Sequence, residues 1–518
     1  MPVPAYYSYI STRACADPVK TVFLCVPDES AASLEDVERF AKTSGWIDEV
    51  EDDGALLIAP VAPQGWAAMD PDTLREIYHA DHNAFKAPSH VSMPGRDGTV
   101  WTWEPLIFTV GYGEGAVHAA NLLVAHPAFA AAAILVDGVP DGYAAGNEPS
   151  DHWFVPQPSQ SYHALCHEVP VAAWLFGAAA TDERFCNYLR ATGAPSWALR
   201  FTPELSGSDS QIAHRAMREF MAHVMRWKNA PDGTLAWRGS RRDFYTDGRY
   251  RHASVDVDGN AYHYAVYLPS GMEPADAKGL PIVFSIHGRG EPAWIFSEKN
   301  GWERLADETQ EFAVILPDSP YDLWFEERDG NVPEAIIAQA MATYGFDAER
   351  VYCTGFSNGA LFTCQEATTR PQLFAAVSPW NGPEESAMVA EGFQPFVYDR
   401  ALLQSGYEMP FWYCVGDSDG KASAEREDEV DFMLAANGCS REHEERWGVT
   451  HYPAESGYAE GERFSTRAFR NVNGSVRVGF TVMRDMPHGA IADEARAAWE
   501  FLRRFRRPSG SKTVEEIQ

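Results

Sequence analysis

The sequence predicts an α/β fold built as two tandem domains, each a mostly parallel sheet flanked by helices. A chain of 518 residues exceeds what one hydrophobic core organises. Short apolar runs of strand length alternate with longer helical runs in both halves, and the two halves repeat each other. We place the domains at residues 1–230 and 240–510, with the boundary in the turn-rich, polar segment 228–242.

The most informative motif lies in residues 351–360, VYCTGFSNGA. A β-rich run breaks into Gly-x-Ser-x-Gly around Ser357, and a helical run follows. This pattern predicts a nucleophile elbow, a sharp strand-to-helix turn that exposes the serine Oγ above the sheet. Glycines flank the serine because a Cβ at either position would clash. The backbone N–H of Asn358 would then point at a substrate oxyanion.

The surrounding strands supply the other groups that such an elbow needs. Residues 281–286 form a buried-strand run that ends at His287 and Gly288. A His-Gly loop at this point supplies a second oxyanion N–H, here from Gly288 or Arg289. We expect His287 itself to hold the loop in place rather than to act as a base.

An acid and a base each follow a later strand. The run 410–415 precedes Asp417 and Asp419, and the run 476–482 precedes His488. The resulting order of Ser, Asp and His, each just past a strand, is the triad order of the α/β-hydrolase fold.

With these motifs, residues from about 245 to 507 resemble an α/β-hydrolase of the polyhydroxybutyrate-depolymerase and feruloyl-esterase type. The resemblance covers half of the chain. It implies that Ser357 is the nucleophile, His488 the base and Asp419 the acid, with Asp417 as the alternative acid. The sequence departs from the family in its His-Gly-Arg-Gly loop and in the Pro-His-Gly setting of the base. The resemblance therefore implies an esterase without identifying the substrate.

Two further histidines follow the acid and compete with His488 for the role of base. These are His443 and His451. We assign His451 to the surface or to the rim of a pocket and keep His488 as the base.

The first half of the chain contains a second copy of the elbow. Residues 108–116 align on residues 352–360 without gaps, at an offset of 244, the difference between 357 and 113. Gly113 takes the place of the serine.

The rest of the chemistry is also missing from this copy. Pro-Asp at 27–28 replaces His-Gly, alanines at 178–180 replace the acid, and the loop before the expected last helix, 211–227, has no histidine. We therefore predict a degenerate, non-catalytic domain that acts as structural support, or else as a lid, a dimerisation surface or a substrate platform.

Three side chains are candidates for substrate binding. Trp380 follows the strand after the elbow helix, so we expect it near the cleft, and Trp324 could lie there or in the core. Aromatic rings in a cleft suit a planar acyl group or a hydrophobic chain. Arg289 is either a cation at the cleft mouth, suited to a carboxylate-bearing or phenolic substrate, or a solvent-facing loop charge. Trp412, inside a strand, is expected in the core.

Composition excludes several classes of protein. A net charge of −32 argues against binding to nucleic acid and to anionic membranes. The N-terminus lacks a signal-peptide pattern and no apolar run is long enough to span a membrane, so we expect a cytoplasmic protein. Eight cysteines without C-x-x-C spacing predict no disulfide framework and no zinc site. We expect no metal and no cofactor.

The sequence thus favours a serine-dependent carboxylic ester hydrolase that works through an acyl-enzyme. Its expected partner is a small-molecule or oligomeric ester of aromatic-acyl or hydroxyacid (polyester) type, and a homo-oligomer is possible. Two alternatives stay open. One is an acyltransferase or peptidase that uses the same triad, because the fold does not fix the acceptor. The other is a non-catalytic binding protein.

Overall fold

The computed structural model describes residues 4–13, 19–81, 85–86, 99–100, 102–143, 169–204, 208–226, 235–237, 244–245, 248–321, 323–382, 405–417, 419, 427–447, 464–484, 486 and 488–517. The chain divides into two compact units, Met1–Ser240 and Arg241–Gln518. The division falls inside the segment 228–242, where the sequence places a boundary. The second unit extends past residue 510, because a short strand pair forms near the end of the chain.

The first unit contains a seven-stranded sheet and two short strand pairs. Its strands are β1 (Tyr6–Ile10), β2 (Val19–Cys25), β3 (Leu56–Pro60), β4 (Phe85–Lys86), β5 (Thr99–Val100), β6 (Thr102–Tyr112), β7 (Ala132–Val136), β8 (Ala173–Phe176), β9 (Leu199–Thr202), β10 (Val224–Arg226) and β11 (Leu235–Trp237). Its helices are α1 (Leu34–Thr43), α2 (Trp46–Asp53), α3 (Thr73–Asp81), α4 (Glu114–Ala125), α5 (Ala178–Thr181), α6 (Glu183–Ala191) and α7 (Asp209–Arg215). A π-helix (Ala216–Met221) follows α7, and 3₁₀ turns lie at Asp28–Ser30, Trp66–Ala68 and Ser196–Ala198.

The second unit contains a ten-stranded sheet. Its strands are β12 (Tyr250–Val257), β13 (Asn260–Tyr267), β14 (Ile282–Ile286), β15 (Ala313–Asp318), β16 (Val351–Phe356), β17 (Ala376–Trp380), β18 (Phe411–Gly416), β19 (Cys439–Trp447), β20 (Phe464–Asn471) and β21 (Val476–Met483), and the pair β22 (Phe505–Arg506) and β23 (Glu515–Glu516) stands apart. Its helices are α8 (Ala293–Asn300), α9 (Trp302–Thr309), α10 (Glu326–Asp329), α11 (Val332–Tyr344), α12 (Asn358–Thr369), α13 (Glu427–Ala436) and α14 (Ala492–Leu502), with 3₁₀ turns at Pro274–Ala277 and Pro371–Leu373.

The two sheets share one strand order. The first sheet runs β1-β3-β2-β6-β7-β8-β9, and the second runs β12-β13-β15-β14-β16-β17-β18-β21-β20-β19. In both, an antiparallel strand precedes a set of parallel strands. The second sheet adds one antiparallel strand at one edge and the β20–β19 pair at the other. The prediction of two α/β units with mostly parallel sheets is confirmed at this level.

The central strands of the second sheet are buried along their whole length. Every residue of β14, β16, β17 and β18 is buried. Strands covered on both faces read as continuous apolar runs rather than as alternating patterns. This explains why the sequence shows strand-length apolar runs before each candidate site residue. The cleft-facing groups must therefore come from the loops at the carboxyl ends of these strands.

The correspondence between the units extends to the backbone of the elbow. Ser357 has φ 55° and ψ −118°, and Gly113 has φ 54° and ψ −123°. The N–H of Ser357 donates to Trp380 O at 3.0 Å, and the N–H of Gly113 donates to Val136 O at the same distance. The first unit thus keeps the shape of the turn without the serine.

We predict that Gly113→Ser will fold with only a modest loss of stability. The nearest atom to an added Cβ is Pro27 Cβ at 3.8 Å, so there is room for the side chain. The cost is the left-handed backbone, about 1–2 kcal/mol in the free energy of unfolding. Denaturant unfolding followed by circular dichroism measures it. The matched control is Gly111→Ala, whose Cβ would lie 2.4 Å from Ala116 Cα. Equal destabilisation by both changes would contradict the prediction.

Candidate active site

The elbow around Ser357 depends on two glycines that allow backbone to approach backbone. A Cβ on Gly355 would lie 2.3 Å from Gly359 O, and a Cβ on Gly359 would lie 2.3 Å from Ile286 O. Helix α12 therefore packs directly against the end of β14. Ser357 sits half-buried at the apex, where its positive φ is the strained conformation expected of such a turn.

The structure brings Ser357, His488 and Asp419 into one hydrogen-bonded chain. His488 Nε2 is 2.9 Å from Ser357 Oγ, and His488 Nδ1 is 2.8 Å from Asp419 Oδ2. A carboxylate only accepts hydrogen bonds, so Nδ1–H donates to Asp419 and Nε2 is left to accept the serine proton. The Asp419 side chain is fully buried, and the imidazole is 20% exposed. This arrangement can transfer a proton from the serine oxygen.

The competing residues lie elsewhere. Asp417 is exposed, and its backbone N–H bonds to Met483 O. His443 is exposed on the edge strand β19. His451 falls outside the described residues.

Asn381, which the sequence analysis missed, joins the loops that carry Asp419 and His488. Its Nδ2 donates to Gly489 O at 2.6 Å, and its Oδ1 accepts from the N–H of Gly416 at 2.8 Å. The residue is fully buried and has φ 49°. The one available signal was an Asn-Gly pair directly after a buried strand, a pattern that favours left-handed backbone.

Two backbone N–H groups lie where oxyanion donors are expected. Asn358 is the first residue of α12, so its N–H has no acceptor within the helix. The peptide between Gly288 and Arg289 is held by hydrogen bonds to its carbonyl oxygen. Gly288 O accepts from His287 Nδ1 at 2.7 Å and from the N–H of Glu291 at 3.3 Å. In a trans peptide the Arg289 N–H points away from that oxygen.

His287 has the loop-holding position that the sequence predicts. It is buried, and its Nε2 accepts from the N–H of Ser319 at 3.0 Å. Because Nε2 accepts, Nδ1 carries the proton that holds Gly288 O. The side chain of Asn358 makes a second connection. Its Oδ1 accepts from the backbone N–H of Trp324 at 2.7 Å, and its Nδ2 donates to the backbone O of Trp324 at 3.1 Å. The loop after β15 is thus hydrogen-bonded to both candidate oxyanion elements.

The predicted substrate-binding tryptophans do not face a cleft. Trp380 is fully buried, with its ring stacked on Trp302 at 5.7 Å and its Nε1 donating to Ser378 Oγ. Trp324 is 2% exposed and stacks on Phe362 at 5.4 Å. Both rings belong to the core, which corrects the expectation that Trp380 contacts substrate. The rule that a residue after a strand faces the cleft failed because Trp380 is still within β17.

The other residues singled out from the sequence differ in exposure. Arg289 is exposed in the His-Gly-Arg-Gly loop, and Gly288 is buried there. Trp412 is buried, as predicted for a residue inside a strand.

Tyr321 is an exposed aromatic residue that the sequence analysis did not single out. It lies in the loop after β15 and is 42% exposed. Its hydroxyl donates to Asn260 Oδ1 at 2.7 Å, and the Arg328 guanidinium lies 3.9 Å from its ring centre. Arg328 is itself held by two 2.7 Å bonds to Asp329. The ring is therefore fixed in place on the loop that is hydrogen-bonded to His287 and Asn358.

Among the described residues, no group of three His, Cys, Asp or Glu side chains is arranged to hold a metal ion. Within the same residues, none of the helices has the length and apolar character needed to cross a membrane.

The parallel strand order and the glycine-lined elbow between β16 and α12 decide the fold of the second unit. It is an α/β-hydrolase fold.

No protein-family model matches the sequence. The chain is similar to a bifunctional acetylxylan esterase/xylanase of Neocallimastix patriciarum, with 32% identity over 123 residues, 23% of this chain and 17% of that protein. It is also similar to poly(3-hydroxyalkanoate) depolymerase C of Paucimonas lemoignei, with 35% identity over 130 residues, 22% and 30% of the two chains.

A third relative is acetylxylan esterase A of Aspergillus oryzae, with 28% identity over 151 residues, 27% of this chain and 48% of that protein. The chain spans less than half the length of each of these three curated relatives. Among solved structures, an acetyl xylan esterase from Aspergillus awamori has a TM-score of 0.37 at 17% identity, covering 49% of this chain and 98% of that one. A thermostable esterase has a TM-score of 0.35 at 18% identity, covering 50% and 63%. The depolymerase among the relatives is of one of the two types that the sequence resembles.

We predict that Asp419→Asn will lower kcat about 10⁴-fold, because an amide no longer holds His488 in the tautomer that accepts the serine proton. Ester hydrolysis under saturating substrate measures this effect. Asp417→Asn is the matched control, two residues away, and should leave kcat near the wild-type value. The opposite pattern would show that Asp417 is the acid.

Proposed function

We propose that this protein is a serine-dependent carboxylic ester hydrolase. In it, Ser357 is the nucleophile, His488 the general base and Asp419 the residue that orients the imidazole. The observation that supports this most directly is the unbroken chain of two hydrogen bonds among three residues from separate loops. The names of the relatives, acetylxylan esterases and a polyhydroxyalkanoate depolymerase, point to the same class of reaction.

The proposed reaction has two halves. Ser357 Oγ attacks the ester carbonyl carbon while its proton moves to His488 Nε2. The N–H groups of Asn358 and Arg289 stabilise the developing oxyanion. The intermediate then collapses, and the alcohol leaves with the proton from Nε2. Water then attacks the acyl-serine while Nε2 takes its proton, and Ser357 Oγ leaves with that proton, which releases the carboxylic acid.

The substrate that we propose is a small or oligomeric ester, either of a hydroxyacid, as in a polyester, or of a polyhydroxyl compound. The relatives' names support esters of polymers, both acetylated xylan and polyhydroxyalkanoate. Trp380 and Trp324 do not support a preference for an aromatic acyl group, because their rings are buried. Ring recognition would instead come from Tyr321.

We further propose that the first unit does not catalyse. Its elbow carries Gly113, which has no side-chain oxygen, and the loop residues Asp137 and Ala178 stand after the strands β7 and β8. Asp137 Oδ1 accepts from the N–H of Ala178 at 2.8 Å, so this carboxylate serves the backbone. Asp137 thus corresponds to Asn381 of the second unit, whose Oδ1 accepts from the N–H of Gly416.

We expect Ser357→Ala to lower ester turnover by about 10⁴- to 10⁶-fold while the circular dichroism spectrum stays unchanged. The same variant should lose covalent labelling by a fluorophosphonate. His443→Ala, a change at an exposed histidine, serves as the control and should keep wild-type turnover. Adding Gly113→Ser to Ser357→Ala should not restore labelling, because one oxygen brings no base with it.

Two results would contradict the proposal. Full turnover by a folded Ser357→Ala protein would exclude a serine mechanism. Labelling of wild-type protein without hydrolysis of any ester, but with acyl transfer to an added amine or alcohol, would favour a transferase.

For Tyr321→Ala we expect KM to rise about 3- to 10-fold for esters that carry a sugar or aryl ring, since stacking on an aromatic ring is worth about 0.5–1.5 kcal/mol. KM for ethyl acetate, which carries no ring, should not change. Tyr321→Phe keeps the ring and is the matched control. An unchanged KM for ring-bearing esters in Tyr321→Ala would place substrate elsewhere.

A further inference from the structure

A buried ion pair lies beside the candidate oxyanion loop and has no part in the proposed chemistry. Lys299 Nζ is 3.1 Å from Glu291 Oε1 and 3.4 Å from Oε2. The side chains of Lys299 and Glu291 are 4% and 1% exposed. Lys299 lies in the last turn of α8, and Glu291 follows the His-Gly-Arg-Gly loop. The pair therefore joins that loop to a helix.

The same pair contacts the elbow. Lys299 Nζ is 3.5 Å from the ring centre of Phe356, the residue directly before Ser357. The Phe356 ring in turn lies 5.1 Å from the ring of His488. Lys299 is thus one aromatic ring away from the proposed base.

The oxyanion loop is enclosed between these groups. A Cβ on Gly288 would lie 3.0 Å from Phe356 Cδ1 and 3.3 Å from Glu291 Oε2. The backbone N–H of Glu291 also bonds to Gly288 O. A shift of Glu291 would therefore move the peptide whose N–H is the proposed oxyanion donor.

Burying two charges is a weak source of stability. Removing them from water costs about as much as their attraction returns, so a well-packed apolar pair of similar volume is often as stable. The elbow of the first unit holds its aromatic residue differently. The ring of Tyr112, which corresponds to Phe356, packs against Phe40 at 5.2 Å, and its hydroxyl accepts from Trp46 Nε1 at 3.0 Å. Stability of an elbow thus does not require an ion pair.

We infer that Lys299 and Glu291 are positioning residues for the oxyanion loop. The ion pair fixes the Gly288–Arg289 peptide against Phe356, so that its N–H keeps its aim when charge develops on the substrate oxygen. This inference rests on the proposed function. It predicts an effect of the pair on kcat rather than on substrate binding, because the side chains of Lys299 and Glu291 are almost completely buried.

The experiment uses the full chain and four variants. They are Lys299→Met, Glu291→Gln, the double variant Glu291→Leu with Lys299→Met, and Lys20→Met as the control. Lys20 forms a partly buried pair with Asp53 in the first unit, so the control makes the same chemical change away from the site. The measurements are kcat and KM for p-nitrophenyl acetate, the rate of Ser357 phosphonylation by a fluorophosphonate, and Tm.

We expect Lys299→Met to lower Tm by roughly 10 °C, because it leaves a carboxylate buried alone. It should also lower kcat about 10- to 100-fold, the usual effect of a misplaced catalytic group, with KM nearly unchanged. The double variant removes both charges of the Lys299–Glu291 pair, so its Tm should recover while its kcat stays low. Glu291→Gln keeps an acceptor for Lys299 and should lose less kcat than Lys299→Met. Lys20→Met should lower Tm without lowering kcat.

Recovery of kcat together with Tm in the double variant would overturn the inference, because the pair would then serve stability alone. Should Lys299→Met fail to fold, the double variant decides the question. Wild-type protein that neither hydrolyses the ester nor reacts with the fluorophosphonate would refute the proposed function and this inference together. Active wild-type protein with unaffected variants would refute this inference only.

Discussion

The candidate active site depends on one close approach of backbone to backbone, between the start of α12 and the end of β14. A Cβ on Gly359 would lie 2.3 Å from Ile286 O and 2.5 Å from His287 O, so only glycine permits the contact. This contact places the first N–H groups of α12 beside the His-Gly loop. Backbone packing alone therefore brings the two proposed oxyanion donors together. A methyl group at Gly359 would separate them.

A second requirement is that three loops from different strands meet to within a hydrogen bond. The parallel strands β16, β17, β18 and β21 end at the same edge of the sheet, which brings the loops near one another. Nearness alone does not fix an imidazole. Asn381 completes the arrangement, since its buried amide bonds to Gly489 O on one side and Gly416 N on the other. A buried amide with both ends bonded leaves little freedom to either loop.

Local sequence signals predicted the parts of the fold that local chemistry controls. The elbow, its serine and the order of acid and base could be located because glycine spacing and buried-strand runs are direct consequences of backbone packing. The edge strand β19, by contrast, has the sequence CSREHEERW and no apolar alternation, so nothing marked it as a strand. Its charged residues are paired with β20 instead, Arg467 with Glu444 and Arg470 with Glu445. The expected helix at 211–227 also changes at residue 216 into a π-helix and then a strand.

The matching backbone angles of Gly113 and Ser357 have an evolutionary consequence. At φ near 55°, glycine is at ease and serine is strained. Whichever residue stood first at either position, replacing serine by glycine relaxes the turn, and the reverse replacement strains it. Selection for a stable chain alone therefore retains Gly113 and disfavours Ser357. A serine at this turn therefore costs the second unit stability that glycine spares the first, which agrees with the chemical role proposed for Ser357.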